Sequence, residues 1–247
     1  MGSDEVKIVL PKQSKFHQFL VIALFPLMGI ALYLIFVWSP VERMMGIVQK
    51  IFYFHVASAW NAFLAFAVVF VCSLLFLIKR KRIYDIVAGI SAEIGVVFTL
   101  IVLTTGPIWG RSAWNTWWTW EPRLTTTLIL FFIYLAYILI RHMDGAWDKK
   151  ARLAAVFGII GFIDVPIVFM AIRWWNSKLH PIVFGSGPSG QGGGIEAPML
   201  FTLLFTVGVL TLLYIVLLQK GVYIERTRLV VEKYKIDVIE KLMNKGT

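Results

Sequence analysis

The stretch FHVASAWNAFLAFAVVFVCSLLFLIKRKR, Phe54–Arg82, decides the fold class. From Val56 to Ile78 it holds no charged residue, and it is apolar on most faces rather than along one stripe. A helix needs about 20 such residues to cross a hydrocarbon layer roughly 30 Å thick. The run then stops on four successive cations, Lys79 to Arg82. A segment built this way is a membrane-spanning helix whose basic end stays on the cytoplasmic side.

The rest of the chain repeats the pattern. Of its 247 residues 59% are hydrophobic and 15% charged, whereas soluble domains carry about 25% charged residues. Six apolar runs are long enough to span: 19–38, 54–78, 86–105, 124–140, 153–172 and 198–218. None alternates as a barrel strand would. The expected fold is therefore an all-α, polytopic six-helix transmembrane bundle over 19–218, between an N-terminal tail (1–18) and an amphipathic C-terminal tail (219–247). The first residues lack the pattern of a cleaved signal peptide. The two tails and the loops at 79–85 and 141–152 hold 18 of the 24 Lys and Arg. Both termini are thus expected in the cytoplasm. The net charge of +10 then reads as orientation and contact with membrane lipid, not as a nucleic-acid footprint. Cys72 is the only cysteine, so no intrachain disulfide, Cys-rich metal site or covalent haem motif can form.

Between the third and fourth runs lies WGRSAWNTWWTWEPRLT, Trp109–Thr125, with five tryptophans in twelve residues. By the charge rule this Trp-rich loop, 106–123, faces outward. So do Trp38, Trp60, Trp174 and Trp175, which leaves only Trp147 at the basic end. A plain aromatic belt would populate both interfaces. Gly106, Pro107 and Gly110 are expected to end the third span. A short interfacial helix over 113–121 would then put Trp114, Trp117, Trp118 and Glu121 on one face.

His17 and His142 sit among charges on the cytoplasmic side and read as surface residues. His55 is 24 residues from Lys79, about 36 Å at the helical rise of about 1.5 Å, which puts it at the outer boundary. His180, in RWWNSKLHPIVFG, follows the fifth span on the same side, in an outer segment 173–197. Zinc is disfavoured for want of a third ligand. Iron already held in a porphyrin needs only axial ligands, which two imidazoles supply. The tryptophans offer flat apolar surface. Arg111, Arg123, Arg173 and Lys178 offer cations for propionates. From these residues alone two readings stay open, a platform for a flat ligand and an interfacial helix lying in the headgroups.

The tryptophan signature, with YFHVASAW before it and RWWNSKLHP after it, resembles the haem exporter protein C family (CcmC) of cytochrome c maturation. The resemblance covers essentially the whole chain. It implies binding of haem b, non-covalently, at the outer face of a bacterial or archaeal cytoplasmic membrane. His55 and His180 would be the axial ligands. Trp109, Trp114, Trp117, Trp118, Trp120, Trp60, Trp174, Trp175, Arg111 and Arg123 would form the surrounding site. Haem would pass to a membrane-anchored haem chaperone, and the chain would associate with the ATPase and membrane subunits of an ABC transporter and a small single-span accessory subunit. The alternative is a subunit that itself translocates haem. Three positions depart from the family pattern: Glu121 where Asp is usual, Asn115 where Gly is common, and Ala57 where Pro often stands.

Other features carry less. Glu93 and Asp164 lie within spans, where acids are costly and usually face a partner or a cavity. GSGPSGQGGG, 185–194, reads as a flexible outer linker. The tail has apolar positions Leu229, Val230, Tyr234, Val238 and Leu242 at helical spacing, suited to lipid or to a soluble ATPase. A solute-transport subunit would need a polar path that only Glu93 and Asp164 suggest. A scaffold would use the aromatic loop to dock protein. An enzyme is disfavoured, since no nucleophile–base pair, nucleotide loop or metal cluster is evident.

Overall fold

The computed structural model describes residues 10–42, 45–175 and 195–245. Six helices are long and apolar enough to cross a membrane: α1 Lys15–Tyr33, α2 Ile51–Lys79, α3 Arg82–Trp114, α4 Pro122–His142, α5 Trp147–Trp174 and α6 Ala197–Lys245. A π-turn, Leu34–Trp38, extends α1, and a 3₁₀ turn, Ile47–Lys50, leads into α2. Among the described residues no strand occurs. The chain is a multi-pass α-helical membrane protein.

The helix joints follow from local chemistry. Ser14 caps α1, its Oγ accepting from the backbone N–H of Phe16 at 3.0 Å and of His17 at 3.4 Å. Arg80, in the left-handed region at φ 54°, ends α2 and turns the chain into α3. Pro122 at the first position opens α4 without losing a helical hydrogen bond.

Between the helices, small residues admit large rings, which is how helices associate where no water drives them together. A Cβ on Gly95 of α3 would lie 2.6 Å from the ring of Phe66 on α2. Phe66 in turn stacks on Tyr134 of α4, with ring centroids 3.7 Å apart and planes 11° apart. The Tyr134 hydroxyl donates to the carbonyl of Gly158 on α5 at 3.1 Å. Ser91 of α3 donates to Ala65 O and meets the Tyr214 hydroxyl of α6, each at 2.8 Å. At the basic end, Asp85 pairs with Arg141 and accepts from Trp147 Nε1 at 3.0 Å. Gly89 leaves room for that guanidinium, which a Cβ would meet at 2.7 Å.

Several boundaries differ from the sequence expectation. α3 runs through Gly106, Pro107 and Gly110 to Trp114, so the tryptophan segment starts on a helix. The expected helix over 113–121 is not formed. Asn115 adopts φ 56°, ψ 27° and caps α3, its N–H bonding to Arg111 O, and 115–121 is non-helical. Asn tolerates the left-handed conformation best after Gly, which lets Asn115 make this turn. The tail is not separate, because α6 continues unbroken for 49 residues. His17 is not a surface residue. It is 8% exposed, because the first turn of α1 packs on α6, where His17 Nδ1 donates to Gln219 Oε1 at 2.8 Å. His142 is exposed. Glu93 is exposed on α3 and lines a cavity at the basic end with Arg141 and Glu225. The Asp164 Oδ2 atom is buried with no partner among the described residues. α5 continues through Pro166.

Candidate functional site: an aromatic cleft at the tryptophan end

His55 lies in the second turn of α2 and faces α3. Its Nδ1 is 2.9 Å from Thr105 Oγ1. The Thr105 hydroxyl is committed as a donor to Ile101 O at 2.6 Å. The Thr oxygen therefore accepts, Nδ1 carries the proton, and Nε2 holds the imidazole lone pair. Gly106 gives the ring its place, since a Cβ there would sit 3.3 Å from His55 Cε1. Thr105 and Gly106 were missed in the sequence. Their signal is weak, a polar and a small residue at the end of an apolar run, and nothing local ties them to a histidine 50 positions away.

His55 forms one wall of a cleft of about 590 Å³, counted to its open mouth. Trp109, Trp114, Trp117 and Trp118 line it, with Gly106 and Gly110 from α3, and Glu121, Arg123 and Thr127 at the start of α4. Trp109 is 7% exposed and Trp117 60%, so the aromatic wall grades from core to surface. Trp109 meets Trp114 edge to face, centroids 4.8 Å apart. Gly110 lets Thr116 O approach to 3.2 Å of where a Cβ would stand, which folds the chain back after Asn115. The buried Nε1 atoms of Trp109 and Trp118 have no acceptor among the described residues. Two orphan donors in one cleft ask for an acceptor from outside the chain.

A smaller cavity of about 360 Å³ shares His55, Val102, Arg123 and Thr127 with the cleft. Leu130 and Val168, both almost fully buried, belong to its lining.

The remaining predicted residues divide by place. Trp120, 75% exposed, stands edge-on to Trp118 at 5.7 Å, beside the cleft. Arg111 donates to Asn115 O at 3.0 Å and lies 6.0 Å from the Trp117 ring. Trp60 packs on Phe169 of α5 at 5.9 Å, and Arg173 covers the same Phe169 ring at 5.3 Å. Trp174 and Trp175 are exposed at the end of α5. None of these six lines the cleft. His180, Lys178 and the Gly-rich linker lie outside the described residues.

Glu121 is the residue before α4, yet its side chain does not cap that helix. Asp in its place would have the shorter reach that capping requires.

A six-span helical bundle with a histidine-bearing, tryptophan-walled cleft at one end defines a membrane protein with a candidate site for a flat, apolar ligand. The sequence profile of the family described as Heme exporter protein C matches residues 5–235. The chain belongs to the haem exporter protein C family. It is 36% identical over 173 residues to the haem exporter protein C of Bradyrhizobium diazoefficiens, covering 68% of this chain and 66% of that one. A cytochrome c biosynthesis ccmC-like mitochondrial protein of Marchantia polymorpha is 35% identical over 174 residues, covering 70% and 72%. The haem exporter protein C of Escherichia coli K12 is 33% identical over 145 residues, covering 59% of each chain. The chain thus spans about two thirds of the length of the Bradyrhizobium relative.

Proposed function

We propose that this chain receives haem b in the tryptophan cleft and passes it to a membrane-anchored haem chaperone during c-type cytochrome biogenesis. The observation that carries the reading is His55. Its proton is held on Nδ1 by Thr105, and it stands on the wall of a cleft that four indoles, Glu121 and Arg123 also line. Nε2 is the nitrogen that would meet the iron, and His180 is proposed as the second axial ligand. The orphan Trp109 and Trp118 N–H groups, with Arg123 and Arg111, suit the acceptor oxygens of the propionates or of the receiving protein. In this reading the cleft faces the outside of the cytoplasmic membrane, and residues 219–247 lie in the cytoplasm, where they meet the ATPase and membrane subunits of an ABC transporter. A small single-span subunit completes the complex. The chain acts by ligand exchange and makes or breaks no covalent bond itself.

The test is the absorption spectrum of the purified protein. A Soret band of six-coordinate haem is expected, shifted or lost in His55→Ala and in His180→Ala with the helical fold intact. An unchanged spectrum in both variants refutes the ligand assignment.

A further inference from the structure

At the opposite, basic end a second built cavity lies where α1 meets α6. It measures about 590 Å³ to its open mouth and is lined by Lys12, Gln13, Ser14, His17, Gln219, Tyr223 and Arg226, with Pro11 and Val222. No acid among the described residues lines it. Because Gln219 Oε1 accepts from His17 Nδ1 at 2.8 Å, the Gln219 amide keeps its N–H₂ group as a donor. The Gln13 Nε2 atom is sealed from solvent and has no acceptor among the described residues. The wall therefore offers two cations, two amide donors and a phenol hydroxyl, one of the amides unpaired among the described residues. Directly beyond it along α1, Phe16, Phe19, Ile22 and Phe25 are all more than half exposed. Phe16 and Phe19, one turn apart, begin this apolar surface beside the cavity, and Ile22 and Phe25 continue it around α1 toward the middle of the span.

We propose that this cavity binds the phosphate of an anionic phospholipid, with an acyl chain against the exposed apolar surface of α1 that begins at Phe16 and Phe19. A polar anion-receptive cup joined to an exposed apolar stripe matches an amphiphile and not a free ion. Basic pockets between transmembrane helices are recognised lipid sites, worth about fivefold in binding for each Lys or Arg near the headgroup. Bound there, the lipid clamps α1 to α6 at the level of His17 and Gln219.

The experiment is a thermal melt of the full-length protein in a neutral detergent with added phosphatidylglycerol, phosphatidylcholine or inorganic phosphate. A ligand of the folded state raises the melting temperature with its concentration. Phosphatidylglycerol is expected to stabilise the parent chain. The pair Lys12→Gln with Arg226→Gln should weaken its apparent affinity about 25-fold, from about fivefold for each cation. The charge-keeping pair Lys12→Arg with Arg226→Lys should retain it, and Lys241→Gln on the exposed tail should leave it unchanged. Gln13→Ala, which spares every charge, should weaken it as well and serves if the double variant does not fold. The proposal is overturned by an undiminished phosphatidylglycerol response in the neutralised variants. It is also overturned if phosphatidylcholine or inorganic phosphate matches that response.

Discussion

His55 Nδ1 and Thr105 Oγ1, 2.9 Å apart, join α2 to α3 at the cleft wall. The bond does two jobs. It holds the ring in one orientation, and it assigns the proton, because the threonine has spent its own on Ile101 O. Partners of this kind, on the far nitrogen of a metal-binding histidine, tune ligand strength.

Thr105→Val removes the acceptor and keeps the shape. Haem affinity should fall about 10-fold or more, read by titrating haem into the purified protein. Thr105→Ser should restore it. Equal affinity in all three would show that the hydroxyl does not set the imidazole.

Gly95 is a packing site rather than a turn. Gly95→Val would drive two methyls into the ring of Phe66 and through it into Tyr134. Overpacking of this kind costs about 1–3 kcal/mol, measurable as a lower unfolding midpoint, with little change in any haem spectrum of the folded fraction.

Asp85, Arg141 and Trp147 tie three helix ends together at the basic face. Asp85→Asn should destabilise the bundle by about 3 kcal/mol, because Arg141 is left half-buried without its counter-charge. Unfolding in a denaturing detergent would measure it. Exposed Asp148, paired with Arg152 within one turn of α5, should tolerate the same change with a loss of less than about 0.5 kcal/mol.

Glu121→Asp should stabilise α4. The shorter carboxylate can accept from the first-turn N–H groups that Glu121 leaves uncapped, a gain of about 0.5–1 kcal/mol. A raised unfolding midpoint is expected. No rise would mean that the contacts of the longer side chain compensate.

The spans were legible because each apolar run is long, and the bilayer sets its length. The cleft was legible only in part. Tryptophan density marked the segment, and the distance of His55 from the Lys79–Arg82 cations marked its level. The path of the backbone was not. Gly106 and Gly110 read as helix-ending residues, but each serves close approach, one to His55 and the other to Thr116. Pro107 is carried inside α3, as membrane helices allow. The i, i+3, i+4, i+7 spacing of Trp114, Trp117, Trp118 and Glu121 suggested one helical face. Asn115 breaks that helix, and a folded-back segment gathers the three indoles instead. The burial of His17 could not be read locally, since its partner stands 202 residues away.

α6 is a single rod of 49 residues, about 73 Å at a rise of about 1.5 Å per residue. Roughly 30 Å of that suffices to cross the hydrocarbon, so more than half protrudes. Its far end shares a backbone with Leu203, which is clustered with Ile35 and Tyr53 in the layer at the His55 end of α2. A body that grasps the protruding shaft thereby holds a handle on that layer: tilting the shaft must either swing Leu203 or break the rod.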